Sequence, residues 1–442
     1  MQTRDLFITA SDKFWLMGGE MQSVALLEDR NLPNLRHVRL VMLISEGLSL
    51  RKAAQRLRLT QPAVTLGLGT LEDQYGAQFF ERRVAGLTQT PFGAAFARRA
   101  ARCMFYLSRA LSRFCSEPER PSVERLEKLL SLLTIPQLRA LVAMDEHEGF
   151  RPAAESLGLS VPSLHRAIGH LEAGVGEKLV HREKYGASLN FLGHETAVLF
   201  SLALRELRSA SIDINTLNGH IEGAVTVGCV RVTASVLLPE AIHECVKAFP
   251  GARFLVVHNQ YEDMLEHLRG GRMDYICSTA RKDIPRDFRT EKLCSSELCI
   301  ICGPDHPLAG KRNIDAKMLA EFPWIASEPG TGARVRMNAM FELEGVPLPA
   351  VVVTTHQFSL IHSLLLQTNF LSLTTRSGTG EDYALSGLCI LDKKVPDPCR
   401  DVWLLSRHDW EPTLIQEEFV KTLRRAAHRL EHDRVASLGA LS

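Results

Sequence analysis

One device occurs twice in this chain. "LRLTQPAVTLGLGTLE" at residues 57–72 returns as "LGLSVPSLHRAIGHLE" at 157–172. From residue 51 to about 193 the copies align at a constant offset of 100, with Ala53-Ala54 on Ala153-Ala154, Pro62 on Pro162, Leu71-Glu72 on Leu171-Glu172, Arg82 on Arg182 and Gly93 on Gly193. Duplication is the simplest account, so whatever the first copy folds into must appear again.

Each copy specifies two short helices crossing at a tight turn. "LRKAAQRL" sets Leu50, Ala53, Ala54 and Leu57 at helical spacing, with small alanines where another helix must come close. Thr60 or Ser160 then supplies an N-cap hydroxyl, and Pro62 or Pro162 falls in the first turn, where a missing N–H costs little. The second helix is therefore predicted from near 61 to 74 and from near 161 to 173. Val64, Leu68 and Leu71 face inward, as do Leu164, Ile168 and Leu171, while polar side chains crowd the amino end. That is the layout of a helix-turn-helix whose second helix enters a major groove.

A net charge of +1 over 442 residues hides an uneven distribution. Residues 31–117 hold 13 Lys+Arg against 5 Asp+Glu, residues 118–215 hold 11 against 13, and residues 216–442 hold 25 against 28. The first block suits a polyanion-binding module; a merely solvated basic surface is the alternative. No apolar run reaches the roughly 18 residues that span a bilayer, and Asp5 and Asp12 spoil a signal peptide, so a cytoplasmic protein without membrane contact is expected. Ten cysteines in such a chain read as free thiols. Cys299 and Cys302 sit in an apolar run ending in Gly-Pro, which reads as a buried strand rather than a redox or metal pair. No metal or cofactor is expected.

Past Gly219 strand and helix segments alternate: "AVTVGCV", "LLPEAIHECVKAF", "RFLVVH", "YEDMLEHLRGG", "YICS", and a second series from 297 to 373. Alternation of this length implies parallel sheet with crossover helices, and two such lobes imply a ligand cleft beyond the carboxyl ends of the strands. A catalytic constellation is missing: there is no phosphate loop, no HExxH and no Gly-x-Ser-x-Gly. His306 in "DHPLAG" reads as part of a surface turn, and no enzyme is expected.

"AAQRLRLTQPAVTLGLGTLEDQYGAQFFERR" resembles the winged helix-turn-helix of LysR-type transcriptional regulators, and "AAESLGLSVPSLHRAIGHLEAGVGEKLVHRE" is a looser likeness. "LLPEAIHECVKAFPGARFLVV", "LRGGRMDYI", "DHPLAGK" and "DVWLLSRHDW" are similar to the family's effector-binding domain. The resemblance implies a multidomain α plus α/β protein: two tandem winged helix-turn-helix modules with linker helices, then a two-lobed, periplasmic-binding-protein-like α/β domain. Two modules in tandem depart from the usual single one. The expected divisions are an extension at 1–30, modules at 31–92 and 131–192, linkers at 93–130 and 193–218, an effector domain at 219–430 and a tail at 431–442. Lobe I is expected at about 223–279 with 400–430, and lobe II at about 281–395.

Carried over residue by residue, the resemblance assigns Thr60, Gln61, Thr65, Arg82 and Arg83 to DNA in the first module, and Ser160, His165, Arg166, His170 and Arg182 in the second. It assigns the effector to Arg231, Thr233, Ser235, Gln260, Ser327, Thr331 and Gln357, where exposed amides at helix starts favour a carboxylate. Its implied partners are double-stranded DNA, a small-molecule effector of organic-acid type, and further copies of the chain in a dimer or tetramer. Linker helices for dimerisation are implied at 93–114 and 193–210.

Gly67 and Gly69 cost the first recognition helix roughly 2 kcal/mol against Ala, or else admit the sugar-phosphate backbone closely. Because the polar residues differ between copies, the two modules are expected to read DNA differently and lengthen the operator. A linker of about 22 residues spans roughly 33 Å, one turn of B-DNA, provided the chain does not fold back. The competing expectation is that the second module serves packing or dimerisation, as the acidic balance of 118–215 allows.

Overall fold

The computed structural model describes residues 32–83, 86–115, 123–147, 149–183, 186–229, 237–279, 284–376 and 387–439. Two compact units divide the chain: Met1–Glu222 with Arg269–Arg272, and Gly223–Leu268 with Met273–Ser442.

In the first unit the duplicated sequence becomes a duplicated fold. The first copy runs α1 (Leu35–Ser45), α2 (Leu50–Leu57), α3 (Gln61–Tyr75), β1 (Phe80–Arg83), β2 (Gly86–Gln89) and α4 (Pro91–Ser112). After α5 (Val123–Leu132) the second copy repeats this order as α6 (Ile135–Glu146), α7 (Phe150–Leu157), α8 (Val161–Val175), β3 (Val180–Glu183), β4 (Gly186–Leu189) and α9 (Phe191–Leu217). The local causes also repeat. Thr60 and Ser160 cap α3 and α8 through their side chains, and Gly76 and Gly176 end those helices in the left-handed region. Each wing hairpin keeps one register, Phe80 opposite Gln89 and Val180 opposite Leu189.

The linker helices overturn one expectation. The chain folds back so that α9 packs along α4, while α1 and α6 each pack on their own copy's linker helix. α4 is thus no open spacer between grooves, because its apolar stripe (Phe96, Ala100, Cys103, Leu107, Leu111) is too large to leave in water and α9 covers it. α9 also runs seven residues beyond the expected end at 210, to Leu217. α5, which the sequence did not announce, touches both copies: Glu127 pairs with Arg39 and Arg56, and Arg125 donates to the carbonyls of Phe114 and Val175.

In the second unit the strands β5 (Glu222–Cys229), β6 (Gly251–Val257), β7 (Tyr275–Thr279), β8 (Phe288–Cys302), β9 (Trp324–Ala326), β10 (Val351–Thr354), β11 (Leu371–Arg376), β12 (Cys389–Ile390) and β13 (Cys399–Arg407) join in the order β10-β9-β11-β8-β13-β7-β5-β6, with β12 on β8. The interposed helices are α10 (Leu237–Ala248), α11 (Tyr261–Arg269), α12 (Ala316–Ala320), α13 (Gly332–Leu343) and α14 (Phe358–Gln367), and α15 (Leu414–Gly439) closes the chain against α10 and β8. The expectation of parallel sheet holds within each lobe, where β5 with β7, β9 with β10 and β9 with β11 are parallel. It fails at the centre. β8 and β13 carry the chain from one lobe to the other and back, so they pair antiparallel, as do β13 with β7 and β11 with β8.

Cys299 and Cys302 are buried on β8, as the strand reading required, and lie in separate core clusters. Burial pushes the Cys302 thiol up to about 12, far from a reactive thiolate. His306 corrects the surface-turn reading: it is 4% exposed, packs its ring 4.5 Å from that of Phe322 and accepts the Leu308 amide on Nδ1. Burial lowers its basicity, against a backbone hydrogen bond at Asn369 that raises it, so His306 is a neutral core residue. Among the described residues no helix is long and apolar enough to cross a membrane.

Candidate nucleic-acid interface and effector cleft

Thr60 begins α3 by accepting the Ala63 amide at 3.4 Å, which leaves Gln61, Pro62, Thr65 and Leu66 exposed on one face of the first turns. Thr65 donates its hydroxyl to the Gln61 carbonyl at 3.2 Å, so its outward offering is the methyl and a lone pair. Leu66, a residue that the sequence reading did not single out, is 73% exposed on the same face. Its place one helical turn from Pro62 was the available signal, and an apolar side chain there suits a thymine methyl. Gly67 corrects the other reading. A Cβ there would come 2.9 Å from Cδ2 of His37, so the glycine lets α1 approach, not a phosphate. Gly69 faces open space.

The wing is fastened by an acid at the end of each recognition helix. Glu72 Oε1 accepts the amides of Phe79 at 2.7 Å and Phe80 at 3.2 Å, and Glu172 Oε1 accepts those of Leu179 at 2.9 Å and Val180 at 3.3 Å. Burial raises the Glu172 pKa, but Lys178 and the two amides outweigh it and hold the carboxyl below the usual range. β1 thereby carries Arg82 and Arg83 outward, both exposed, with Arg83 bonded to Glu81 at 3.1 Å.

The second module keeps the frame and changes the face. Ser160 accepts the Ser163 amide at 3.3 Å, Arg166 is exposed and donates to Ser163 Oγ at 3.2 Å, and His170 is exposed. His165 is half-buried with its ring stacked 3.6 Å from that of Phe150, so it belongs to the module's packing as much as to its surface. Arg182 lies on β3, and its side chain lies outside the described residues.

In the second unit, Arg231, Thr233 and Ser235 lie outside the described residues. The other expected effector residues cluster in part. Thr331 caps α13, shares a 2.6 Å hydrogen bond with Ser327 and donates to the Glu328 carbonyl. Gln357 caps α14 without using its side chain, and Gln260 is exposed just before α11. Two histidines that sequence reasoning missed meet between the lobes: His258, bonded to the Cys229 carbonyl at 2.9 Å, has its ring 6.1 Å from His356, which bonds Glu328 at 3.2 Å. Ninety-eight residues separate them in the chain, so nothing local betrays the pair. Arg400 reaches from β13 to Thr279, and its guanidinium would lie 3.3 Å from a Cβ at Gly332, at the amino end of α13. These contacts bring together a helix amino terminus, hydroxyls, imidazoles and a guanidinium, groups that can donate to an anion, with the Glu328 carboxylate beside them.

Comparison with known proteins decides the family. The pattern described as "Bacterial regulatory helix-turn-helix protein, lysR family" matches residues 35–94 and again 135–194, and "LysR substrate binding domain" matches 218–428. The chain belongs to the LysR family. It is 26% identical over 380 residues to the HTH-type transcriptional regulator GalR of Pseudomonas putida, covering 86% of this chain and 94% of that one. To GbpR of Azospirillum brasilense it is 30% identical over 227 residues, covering 51% and 66%. A full-length OxyR variant from Pseudomonas aeruginosa matches at a TM-score of 0.49 and 19% identity, over 67% of this chain and 95% of that one.

As a LysR-type DNA-binding regulator with an effector domain, the chain uses its basic block in two ways. Arg51, Lys52, Arg58 and Arg82 are exposed on α2, the turn after it and β1, available to phosphates. Six others are committed inside the protein: Arg39 and Arg56 to Glu127, and Arg98, Arg99, Arg102 and Arg113 to Asp213, Glu206 and Glu195 of α9. The charge difference between the two copies is in part complementarity between them, which the block sums could not distinguish from DNA binding.

Proposed function

We propose that this LysR-type regulator reads DNA with both modules and responds to a small organic anion held between the lobes of its second unit. The observation that carries the DNA reading is that one capped, wing-braced helix occurs twice with exposed and dissimilar groove-side residues: Gln61, Thr65 and Leu66 on α3, and Arg166 and His170 on α8. Glutamine pairs bidentately with adenine and arginine with guanine, while leucine meets a thymine methyl. The competing reading, in which only the first module binds DNA, draws on the acidic balance of 118–215. The carboxylates that set that balance include Glu195, Glu206 and Asp213, which face α4 rather than the groove.

Arg82→Ala with Arg83→Ala should weaken operator and random duplex alike and flatten the dependence of affinity on salt, by a log–log slope of about 0.9 for each phosphate no longer neutralised. Anisotropy titrations across a salt series read this directly; unchanged slopes on both duplexes would remove the wing from the interface. For the anion, the described support is the group of Ser327, Thr331, Gln357, His258 and His356 beside the amino ends of α13 and α14. A panel of aliphatic and aromatic carboxylates should include members that raise the melting temperature of the second unit, by about 2.7 kcal/mol of stability at a hundredfold excess over Kd. His356→Ala should abolish that rise. A panel that raises nothing argues against an organic acid.

A further inference from the structure

α4 and α9 run antiparallel. Arg98 and Arg99 reach Asp213, Arg102 reaches Glu206 and Arg113 reaches Glu195, so positions rise along one helix as they fall along the other. Two of the pairs, 102 with 206 and 113 with 195, both sum to 308. With the offset of 100 between copies, the crossing therefore falls where Met104 meets its own counterpart, Leu204, and both are buried. Each helix thus meets the other's equivalent surface, which is the geometry of an isologous twofold contact, here made inside one chain.

The charges choose between partners. A second α4 in place of α9 would put Arg113 where Asp213 stands, against Arg99, whose side chain is 1% exposed. A second α9 in place of α4 would put Asp213 where Arg113 stands, against Glu195, and Leu199 where Arg99 stands, stranding Glu206. Arg113 set against the buried Arg99 rejects a second α4, and the stranding of the buried Glu206 rejects a second α9, whereas α4 with α9 pairs both groups.

We infer that the chain carries its own dimer partner: α9 fills the pairing face of α4, so one chain presents two unequal recognition helices to one asymmetric operator. This rests on the reading that both modules face DNA. The half-site under α3 should favour A·T pairs through Gln61 and Leu66, and the half-site under α8 should contain a guanine for Arg166. A site of two unequal halves can be bound in one orientation only.

The test has two arms. In full-length protein carrying Cys389→Ser and Cys399→Ser, Arg113→Cys and Glu195→Cys replace a half-exposed ion pair of small energetic weight. A short bismaleimide should join them into a species that runs at the mass of one chain, 49.2 kDa. A product of two chains, or no product, overturns the intrachain pairing. In the second arm, duplexes are selected by the wild-type chain from a randomised library and footprinted with single variants. Arg166→Ala should lose protection at one half-site, with affinity reduced roughly 5- to 150-fold, and Gln61→Ala at the other half-site. Variants that weaken both halves equally would mean two chains each lending the same module, and an Arg166→Ala footprint like wild type would mean that α8 reads nothing; either overturns the proposal. Single-chain cross-linking together with failure to select any duplex would instead overturn the DNA reading on which it rests.

Discussion

Arg99→Ala should lower the melting transition of the DNA-binding unit by roughly 6–20 °C, from a loss of about 3–5 kcal/mol and the sensitivity expected of a unit this size. The Arg99 side chain is 1% exposed and donates from Nε to Asp213 at 2.8 Å and from Nη1 to Glu206 at 3.1 Å. Burial works against its charge, but the bonds to Asp213 and Glu206 prevail and hold its pKa above the ordinary value. Alanine leaves two carboxylates in a dry interface, 5% and 12% exposed, paired with Arg98 and Arg102, which are themselves partly exposed. The cost comes from stranding them, not from losing an attraction. Replacing Arg99, Glu206 and Asp213 together with apolar side chains of similar volume should therefore recover most of the loss, since buried ionic triads are often no more stable than apolar ones. Thermal unfolding followed by circular dichroism checks both variants. An Arg99→Ala shift of a degree or two would mean that water reaches the carboxylates.

Gly93→Ala should destabilise the same unit by at least about 1–3 kcal/mol, although the position lies in a helix where alanine is normally favoured. A Cβ at Gly93 would stand 2.1 Å from the Phe79 carbonyl oxygen, which is backbone and cannot swing aside. Phe79 is fixed at every handle: Glu72 holds its amide, the Thr90 amide bonds its carbonyl at 3.0 Å, and its ring stacks 4.8 Å from that of Phe96. A Cβ at Gly193 would stand 2.3 Å from the Leu179 carbonyl oxygen, so Gly193→Ala should behave alike. Gly69→Ala is the control of opposite sign. Nothing lies within 4 Å of a Cβ there, so alanine should add about 1 kcal/mol. Denaturant midpoints for the three variants settle the matter, and a stabilised Gly93→Ala would refute the steric account.

What the sequence announced was what local chemistry dictates. α2 is found at the predicted residues 50–57, and α3 and α8 start at 61 and 161, because a hydroxyl cap followed by proline leaves a helix little choice of start. What it concealed depends on residues far apart. Arg99 looks like any surface arginine until Glu206 and Asp213, more than a hundred residues on, close over it. Gly67 takes its meaning from His37, and His258 from His356. The DNA-contact candidates were legible because a recognition helix must hold such residues outward, and Gln61 and Arg166 are exposed. Of the candidate effector residues, Thr331 and Gln357 were placed at helix starts by the sequence and cap α13 and α14.

The pairing of α4 with α9 also bears on abundance. When two separate chains must meet before they can grip a site, occupancy follows the square of their concentration, and a scarce regulator spends much of its time apart. A covalent tether replaces that encounter with a fixed local concentration. The helix contact inside this chain then survives dilution, and occupancy of a site read by both modules should rise with the first power of the number of molecules.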